Sequence, residues 1–438
     1  MSHSGDADED RHRVAVIGAG YVGLPTAATL AHFGHSVVLA EYEPGRLAAL
    51  RSGRMPIVEA GLDELVADGV AAGNLSFTDS AVDAVGGAEF VFLCVPTPQS
   101  DDGSADLSYV EAAAKEIAAN LAPGAVVVNK STVPVGSANM VEQVIGRADI
   151  GVVSNPEFLR EGTAVLDSLN PDRIVVGADD AAAAARVGEL FSSTRAPLIV
   201  TDATTSETIK YASNAFLATK LSFVNALAGL CEEVGADARD VLLGLGYDKR
   251  IGFEFLRPGP GWGGSCLPKD TRALLHIASE AGYDFSLLAG AIASNDEQLS
   301  RVVAKVETTC GGSAKGATIA VWGLTFKANT DDRRDSPSLQ IAHRLADLGA
   351  TVRAFDPTVD AETDVPDLQD LELRADPYAA VDGAQVVVVL TEWDEFRRLD
   401  FSRVKEAMAE ANIVDARNLF DPAALRRMGF RYSGIGRQ

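Results

Sequence analysis

The sequence predicts an α/β protein in which two strand–helix regions flank an all-helical segment. Strands and helices alternate from Arg13 to about Thr201, a long helical pattern runs from about Ser206 to Gly235, and alternation returns at Ala317. Alternation of this kind is typical of parallel sheets covered on both faces by helices. We therefore expect an N-terminal Rossmann domain, a central helical domain and a C-terminal Rossmann-like domain.

The expected boundaries follow from the composition. We predict a disordered tail at residues 1–12, an N-terminal domain at 13–201, a helical domain at 202–312 and a C-terminal domain at 313–438, with glycines at 311, 312 and 316 as a hinge. The tail is polar and lacks the apolar stretch of a secretory signal. The apolar runs of the sequence are too short to span a bilayer, and we expect a cytoplasmic protein with no membrane association.

The individual strands are predicted from short apolar runs between helical patterns. Those of the first region are expected at 13–18, 36–41, 90–95, 125–129, 151–154 and 198–200. Those of the last region are expected at 317–322, 351–354, 385–390 and 412–415, with a helix at 337–348.

The charge of the chain limits its partners. It has 38 basic and 62 acidic side chains, for a net charge of −24. Such an excess of acid disfavours binding to nucleic acids or membrane surfaces. It fits either a salty cytoplasm or an ordinary acidic enzyme.

The four cysteines show no C-x-x-C pair and no metal-like spacing, so we predict no metal site. Cys94, Cys231 and Cys310 lie in apolar strand or helix patterns and are interpreted as packing residues. Cys266 has different neighbours and is treated separately.

A glycine-rich turn directly follows the first strand and opens the first helix. It has the G-x-G-x-x-G spacing, which in this context predicts binding of a dinucleotide pyrophosphate. The residues concerned are Gly18, Gly20, Tyr21, Val22 and Gly23. Glu41, at the end of the second strand, is placed to bind ribose hydroxyls and favours NAD over NADP. Arg46 is interpreted either as a phosphate ligand or as a residue that stacks on adenine.

The segment around Cys266 is the candidate catalytic centre. Gly263 and Gly264 leave the sulfur approachable, and Lys269 and Asp270 bring charge. A helix predicted from about Thr271 would place its N-terminus near the thiol. These features favour a thiolate that acts as a nucleophile.

Other polar residues accompany this segment. Lys210 and Asn214 are four residues apart in the long helix and share one face, where they could stabilise an oxyanion. Thr132 and Glu157 each follow a predicted strand, at the edge where ligands lie in such sheets. Glu157 is a candidate general acid or base.

Together these segments resemble the UDP-glucose/GDP-mannose dehydrogenase family over nearly the whole chain. The motifs, in order, are GAGYVG, KSTVPVG, NPEFLREGTA, KYASNAF, GWGGSCLPKD, GLTFKANTDDRRDS and VDARN. The resemblance implies an NAD-binding domain, a helical dimerisation segment and a nucleotide-sugar-binding domain. Glu41 replaces the commoner Asp, and Trp262 stands where Phe is frequent.

The resemblance assigns roles by position. The implied catalytic residues are Cys266, Lys210, Asn214, Asp270, Glu157 and Thr132. The implied NAD-binding residues include Thr97, Ser131, Thr132, Glu161 and Arg334 in addition to the glycine-rich turn, Glu41 and Arg46. The implied substrate-binding residues are Glu157, Phe158, Leu159, Arg160, Lys210, Asn214, Arg250, Phe255, Arg257, Gly263, Lys327 and Arg417. In a homodimer, Arg250 would reach the neighbouring subunit's substrate.

The implied reaction is the four-electron oxidation of a nucleotide sugar's primary alcohol to a carboxylate, most like that of UDP-glucose to UDP-glucuronate. Cys266 would form a thiohemiacetal and then a thioester. The group that removes the first proton stays open among Glu157, Lys210 and a water bound to Asp270.

Several rival functions are weighed against this one. GDP-mannose or UDP-N-acetylmannosamine could be the substrate, although GGSCLPKD disfavours the latter and EGT weakly favours UDP-glucose. A two-electron hydroxy-acid dehydrogenase of the 6-phosphogluconate type would need neither Cys266 nor a second α/β domain. A non-catalytic nucleotide-sugar-binding protein would not need Cys266, Lys210, Asn214 and Asp270 together.

Overall fold

The computed structural model describes residues 11–100, 102–362 and 365–437. The described chain forms two compact units. The first holds the described residues up to Ser213 together with Arg272–Ala281, and the second holds Asn214–Thr271 and the described residues from Gly282 onward. The predicted tail at residues 1–12 lies almost entirely outside the described residues. The division into three domains stays a prediction.

The elements are numbered along the chain. The strands are β1 Arg13–Ile17, β2 Ser36–Ala40, β3 Leu75–Thr78, β4 Phe90–Leu93, β5 Val126–Asn129, β6 Gly151–Ser154, β7 Ile174–Gly177, β8 Leu198–Thr201, β9 Thr318–Trp322, β10 Thr351–Phe355, β11 Glu372–Leu373, β12 Val386–Val389, β13 Asn412–Asp415 and β14 Arg431–Gly434. The helices are α1 Gly23–His32, α2 Pro44–Arg51, α3 Leu62–Ala71, α4 Ala81–Val85, α5 Ser108–Ile117, α6 Ser137–Ile145, α7 Ala164–Leu169, α8 Ala181–Glu189, α9 Ala203–Val234, α10 Ala238–Gly246, α11 Leu267–Glu280, α12 Ser286–Thr309, α13 Pro337–Asp347, α14 Pro377–Val381, α15 Phe401–Ala407 and α16 Pro422–Arg427.

The first unit is built on a sheet that, among the described residues, has eight strands in the order β3-β2-β1-β4-β5-β6-β7-β8. Strand order reverses at β1, which is the switch point where α/β sheets bind ligands outside the carboxyl ends of their strands. Two apolar cores cover the two faces, one against α1 and α3 and one against α4, α5 and α6. The Rossmann fold predicted for this region is confirmed.

The sheet differs from the predicted one in two respects. Strands β3 and β7 were not predicted, since each is only four residues long, too short for the alternation of β3 or the apolar run of β7 to identify a strand. In addition, β6 and β7 pair antiparallel, through Ser154 and Gly177, so the sheet is not wholly parallel. The connection from β6 to β7 is therefore not the crossover that joins neighbouring parallel strands.

The second unit contains a parallel sheet that, within the described ranges, has six strands in the order β11-β10-β9-β12-β13-β14. Strands β9, β12 and β13 are almost fully buried, because helices cover both faces. The short edge strands β11 and β14 were not predicted. The second Rossmann-like sheet that the sequence predicted is present.

The long helix α9 covers the predicted helical pattern and begins three residues earlier. Its length and its mean hydropathy of 1.2 over the most apolar window would suffice to cross a bilayer, although the individual apolar runs of the sequence are short. Length and hydropathy are weak evidence for a membrane-spanning helix here, since 44 % of that window is buried inside the protein. The long helices of soluble proteins pass the same test.

Candidate active site

The glycine-rich turn after β1 has the shape that a bound pyrophosphate requires. A Cβ on Gly23 would lie 1.9 Å from the carbonyl oxygen of Gly18, so only glycine permits this close packing of α1 on the turn. At Gly20 a Cβ would meet nothing within 4 Å, which leaves open space over the N-terminus of α1. Tyr21 and Val22 are half-buried beside it. The turn therefore fits the dinucleotide that the spacing predicts.

Glu41 and Arg46 lie at the carboxyl end of β2. Glu41 is buried, and its carboxylate accepts hydrogen bonds from the N–H groups of Ala19, at 3.1 Å, and Glu43, at 2.9 Å. These bonds tie the acid to the glycine-rich turn, where ribose hydroxyls would be bound. Arg46 is exposed in the first turn of α2. A cleft of about 620 Å³ lined by Tyr42, Leu47 and other α2 residues adjoins them.

The loops after β4 and β5 meet at the same sheet edge. The hydroxyl of Thr97 donates to the carbonyl oxygen of Thr132 at 2.9 Å, and the hydroxyl of Ser131 donates to that of Val95 at 2.6 Å. Thr97, Ser131 and Thr132 are all buried. These bonds hold the loops after β4 and β5, and the predicted cofactor-binding residues on them, close together.

Glu157 forms a buried ion pair with Lys210. Glu157 follows β6, Lys210 lies on α9, and Nζ of Lys210 is 2.7 Å from Oε1 of Glu157. The two side chains are only 5 % and 4 % exposed. The other oxygen of Glu157 accepts the N–H of Leu159 at 2.6 Å. The first unit thus joins two of the predicted catalytic residues directly.

The charge state of Glu157 follows from these contacts. Burial raises the pKa of its carboxyl, but the charge and hydrogen bond of Lys210, the Leu159 N–H and the charge of Lys130 together hold it below its usual value. Burial also lowers the pKa of Lys130 to about 8, against the opposing effect of Cys94 and Glu157. Glu157 is therefore ionised near neutral pH and suits a base better than an acid.

The loop after Glu157 is fixed at both ends. The carboxylate of Glu59 accepts the N–H groups of Gly162 and Ala164, both at 2.7 Å. Within the loop, Phe158 and Leu159 are half-buried, Arg160 pairs with Asp167, and Glu161 is half-buried. Because Glu59 is remote in sequence and matches no motif, sequence reasoning did not find it. The role of Glu59 becomes visible only in the folded structure, where its side chain is buried against the loop that follows Glu157.

Cys266 immediately precedes α11 in the second unit. Its carbonyl oxygen accepts the N–H of Asp270 at 2.9 Å, so the thiol belongs to the residue that opens the helix. The sulfur is 3.6 Å from the hydroxyl oxygen of Ser265 and is partly exposed. The helix begins at Leu267, four residues before the predicted start, and so lies closer to the thiol than expected.

The loop before Cys266 is held by polar anchors. The amide of Asn295 bonds both the N–H and the carbonyl oxygen of Trp262, at 2.8 and 2.9 Å, and the indole N–H of Trp262 donates to Ser222 at 2.8 Å. A Cβ on Gly263 would lie 2.1 Å from the carbonyl oxygen of Asp335, so the close approach requires glycine. Neither Asn295 nor Ser222 was singled out from the sequence, since their partners are distant along the chain.

Asp270 is the centre of a second buried polar group. Its carboxylate is fully buried and accepts from Lys269 at 2.6 Å and from the amide of Asn214 at 2.6 Å. The charge of Lys269 is therefore paired with Asp270. Asn214 and Lys210 are one turn apart on α9, so a single turn carries the partner of Asp270 and the partner of Glu157.

The predicted cations of the C-terminal region follow β9 and β13. The guanidinium of Arg417 donates to the carbonyl oxygens of Leu390 and Phe326, both at 2.7 Å, and pairs with Glu392. Lys327 lies 5.4 Å from the ring centre of Phe326. A Cβ on Gly259 would lie 3.4 Å from Arg417, so the loop before Cys266 passes this residue.

The remaining predicted residues are more exposed. Arg334 pairs with Asp332 at 2.6 Å, and its side chain is 59 % exposed. Arg250 pairs with Asp248, and its side chain is 88 % exposed. Phe255 has a positive φ of 57°, in the left-handed region that non-glycine residues seldom adopt, and Arg257 is exposed.

Comparison with known proteins covers the whole molecule. The three models of the UDP-glucose/GDP-mannose dehydrogenase family match in order: the NAD-binding domain at residues 12–195, the central domain at 204–297 and the UDP-binding domain at 320–422. A UDP-glucose 6-dehydrogenase of Rhizobium meliloti (strain 1021) is 48 % identical over 97 % of this chain and 99 % of its own length.

Solved structures agree with this assignment. A UDP-glucose dehydrogenase from Pyrobaculum islandicum is 36 % identical, with a TM-score of 0.90 and 98 % of each chain covered. A UDP-D-ManNAc dehydrogenase from Pyrococcus horikoshii is 30 % identical, with a TM-score of 0.86 over 97 % of this chain and 99 % of its own. The full-length match, together with the glycine-rich turn and the polar groups around Cys266, shows that this chain is an NAD-dependent dehydrogenase of the UDP-glucose/GDP-mannose dehydrogenase family.

Proposed function

We propose that the protein oxidises the primary alcohol of UDP-glucose to the carboxylate of UDP-glucuronate. The observation that carries the chemistry is the partly exposed thiol of Cys266 at the start of α11, beside the buried Asp270 group. A helix N-terminus stabilises a thiolate. The choice of sugar is supported by the UDP-glucose 6-dehydrogenase that is 48 % identical over nearly the whole chain.

Each catalytic side chain has a defined task in this proposal. When bound, one NAD would accept the hydride that leaves the alcohol carbon, and a second NAD, exchanged for the resulting NADH, would accept the hydride of the second oxidation. Glu157, held anionic by Lys210, accepts the hydroxyl proton directly or through a water, which favours it among the three candidate bases. The sulfur of Cys266 then adds to the aldehyde carbon. Lys210 and the second N–H of the Asn214 amide stabilise the oxyanion of the resulting thiohemiacetal.

The later steps explain the role assigned to Asp270. Loss of a second hydride from the thiohemiacetal carbon leaves a thioester on Cys266. Asp270, held in place by its bonds to Lys269 and Asn214, orients the water that hydrolyses this thioester and restores the thiol. In sum, the alcohol carbon loses two hydrides and gains one oxygen from water. From the capture of the aldehyde until hydrolysis, the reacting carbon stays bound to the sulfur of Cys266.

The stoichiometry tests this scheme. We expect two NADH per UDP-glucose and a uronate product, because covalent capture at Cys266 commits the aldehyde to the second oxidation. The measurement is NADH absorbance at limiting sugar, across UDP-glucose, GDP-mannose and UDP-N-acetylmannosamine. Formation of one NADH per sugar with release of an aldehyde or ketone would rule out the four-electron reaction. Faster turnover of another sugar nucleotide would show that UDP-glucose is not the preferred substrate.

We infer further that the protein is a cytoplasmic homodimer that binds neither nucleic acid nor membrane. The side chains of Phe216, Phe223 and Leu230 recur every seven residues along one stripe of α9 and are 69 %, 60 % and 55 % exposed. An exposed apolar stripe of this length marks an interaction surface. In a dimer formed through α9, the exposed Arg250 is available to the neighbouring subunit's substrate.

Mixed dimers test the role of Arg250. Arg250→Ala should raise the KM for UDP-glucose and leave the affinity for NAD near normal. Mixed dimers of Arg250→Ala and Cys266→Ser chains should regain activity, because one of the two sites then holds both intact residues. Light scattering and differently tagged chains would verify dimer formation and mixing. No recovery in verified mixed dimers would show that Arg250 acts within its own chain.

A further inference from the structure

The turn between β2 and α2 holds two carboxylates, only one of which has been given a task. Glu41 accepts the N–H of Glu43 at 2.9 Å. The carboxylate of Glu43 in turn accepts the N–H groups of Gly45, at 2.9 Å, and Arg46, at 2.5 Å. Glu43 is thus the N-cap of α2, and its side chain is exposed to solvent.

This turn borders the place where the adenosine half of the cofactor would bind. Glu41 stands at the end of β2, where an acid of a Rossmann fold binds the ribose 2′-hydroxyl. The adjoining cleft of about 620 Å³ is lined by Tyr42, Pro44, Leu47 and Ala48, which offer ring and aliphatic surface to a base. A substituent on the 2′-oxygen would therefore meet the turn that contains Glu43.

The same turn contains what a 2′-phosphate needs. A phosphate binds best where backbone N–H groups at a helix N-terminus and an arginine converge. The N–H groups of Gly45 and Arg46 and the guanidinium of Arg46 are such a set, and α2 is a helix of eight residues. Glu43 already accepts both N–H bonds and places a negative charge beside Arg46.

The charge of Glu43 is present at neutral pH. The N–H bonds from Gly45 and Arg46, and the nearby Arg46 cation, hold the pKa of the Glu43 carboxyl below its usual value. No proton uptake would relieve the repulsion of a phosphate under ordinary assay conditions.

We propose that Glu43 is a second specificity-determining residue for NAD over NADP. Glu41 favours a free 2′-hydroxyl. Glu43 withholds the two N–H donors and the Arg46 charge that a 2′-phosphate would use.

Binding of adenine nucleotides tests this proposal without turnover. Titration calorimetry would compare ADP with adenosine 2′,5′-bisphosphate, and NAD with NADP, on the wild type and Glu43→Ser. Serine is a favoured N-cap residue, so α2 should persist in Glu43→Ser while the negative charge beside Arg46 is lost. We expect the affinity ratio to shift toward the 2′-phosphorylated ligand by at least about tenfold. Glu43→Asp, which keeps cap and charge, should stay within about threefold of the wild-type ratio.

Two further variants test which residue causes the shift in the affinity ratio. Adding Arg46→Ala to Glu43→Ser should remove most of the shift, because the uncovered Arg46 guanidinium is its main source. An equal shift with and without Arg46→Ala would overturn the role of Arg46. Glu64→Gln, which removes an acid from the first turn of α3, should not change the ratio. A Glu43→Ser ratio within about threefold of wild type would overturn the proposal. Should that variant fail to fold, Glu43→Asn carries the same criteria, because Asn also caps helices.

Discussion

Replacing Cys266 by serine is expected to lower kcat by a factor on the order of a thousand or more, with folding and NAD binding intact. An oxygen ester forms and breaks far more slowly than a thioester, so the variant should stall. Intact-mass measurement should then detect sugar attached to the stalled chain. The thiol is partly exposed, so its loss costs little packing. A kcat within a few-fold of wild type, with a lowered melting temperature, would reduce Cys266 to a packing residue and remove the mechanism.

Alkylation provides an independent measure of the same thiol. Burial raises the pKa of Cys94 to about 12, and burial also raises those of Cys231 and Cys310. Cys266 is the partly exposed thiol at a helix start, so iodoacetamide should label it first and abolish activity. Bound UDP-glucose should protect it. Cys310→Ser is the matched control and should keep both activity and labelling.

Local patterns predicted the parts of the fold whose cause is local. The turn after β1 is specified by glycine spacing, and α9 by a long apolar periodicity free of proline. The strands β3 and β7 were missed because a run of four residues carries too little periodicity to identify a strand. The antiparallel pairing of β6 with β7 depends on the direction in which the chain returns to the sheet after β6, which periodicity does not encode.

The same distinction applies to the site. Lys210 and Asn214 share a face of α9 by spacing alone, which made their proximity predictable. Their partners were not: the contact of Lys210 with Glu157 and that of Asn214 with Asp270 join residues more than fifty positions apart. Glu59, which fixes the loop after Glu157, belongs to no motif. Such contacts arise only when the folded chain brings segments that are distant in sequence together.

Removing the cation of the Glu157–Lys210 pair is expected to have the second large effect. Lys210→Met leaves a carboxylate that is only 5 % exposed without its main partner. Breaking a buried pair in this way costs about 3–5 kcal/mol of unfolding free energy. Loss of the oxyanion contact should also lower kcat by about a hundredfold or more. Urea unfolding and NADH production measure the two effects separately.

The pH dependence of this loss has a defined sign. In the wild type the pKa of Glu157 is depressed, so the pair stabilises the fold above the unfolded value and loses its effect as pH falls through the folded pKa. Without Lys210, burial of Glu157 is opposed only by the Leu159 N–H and Lys130, and its pKa rises. The destabilisation by Lys210→Met should therefore be greater at about pH 8 than at about pH 5.5.

A double variant separates stability from catalysis. Glu157→Gln combined with Lys210→Met removes both buried charges, so stability should recover toward wild type while activity does not. Lys305→Met is the control, because Lys305 pairs with Glu232 at 3.0 Å with both side chains partly exposed, and such pairs contribute about 0–1 kcal/mol. If the double variant is no more stable than Lys210→Met, an uncompensated Glu157 charge is not the source of the loss. If it keeps wild-type kcat, the pair is structural, and the oxyanion role assigned to Lys210 is wrong.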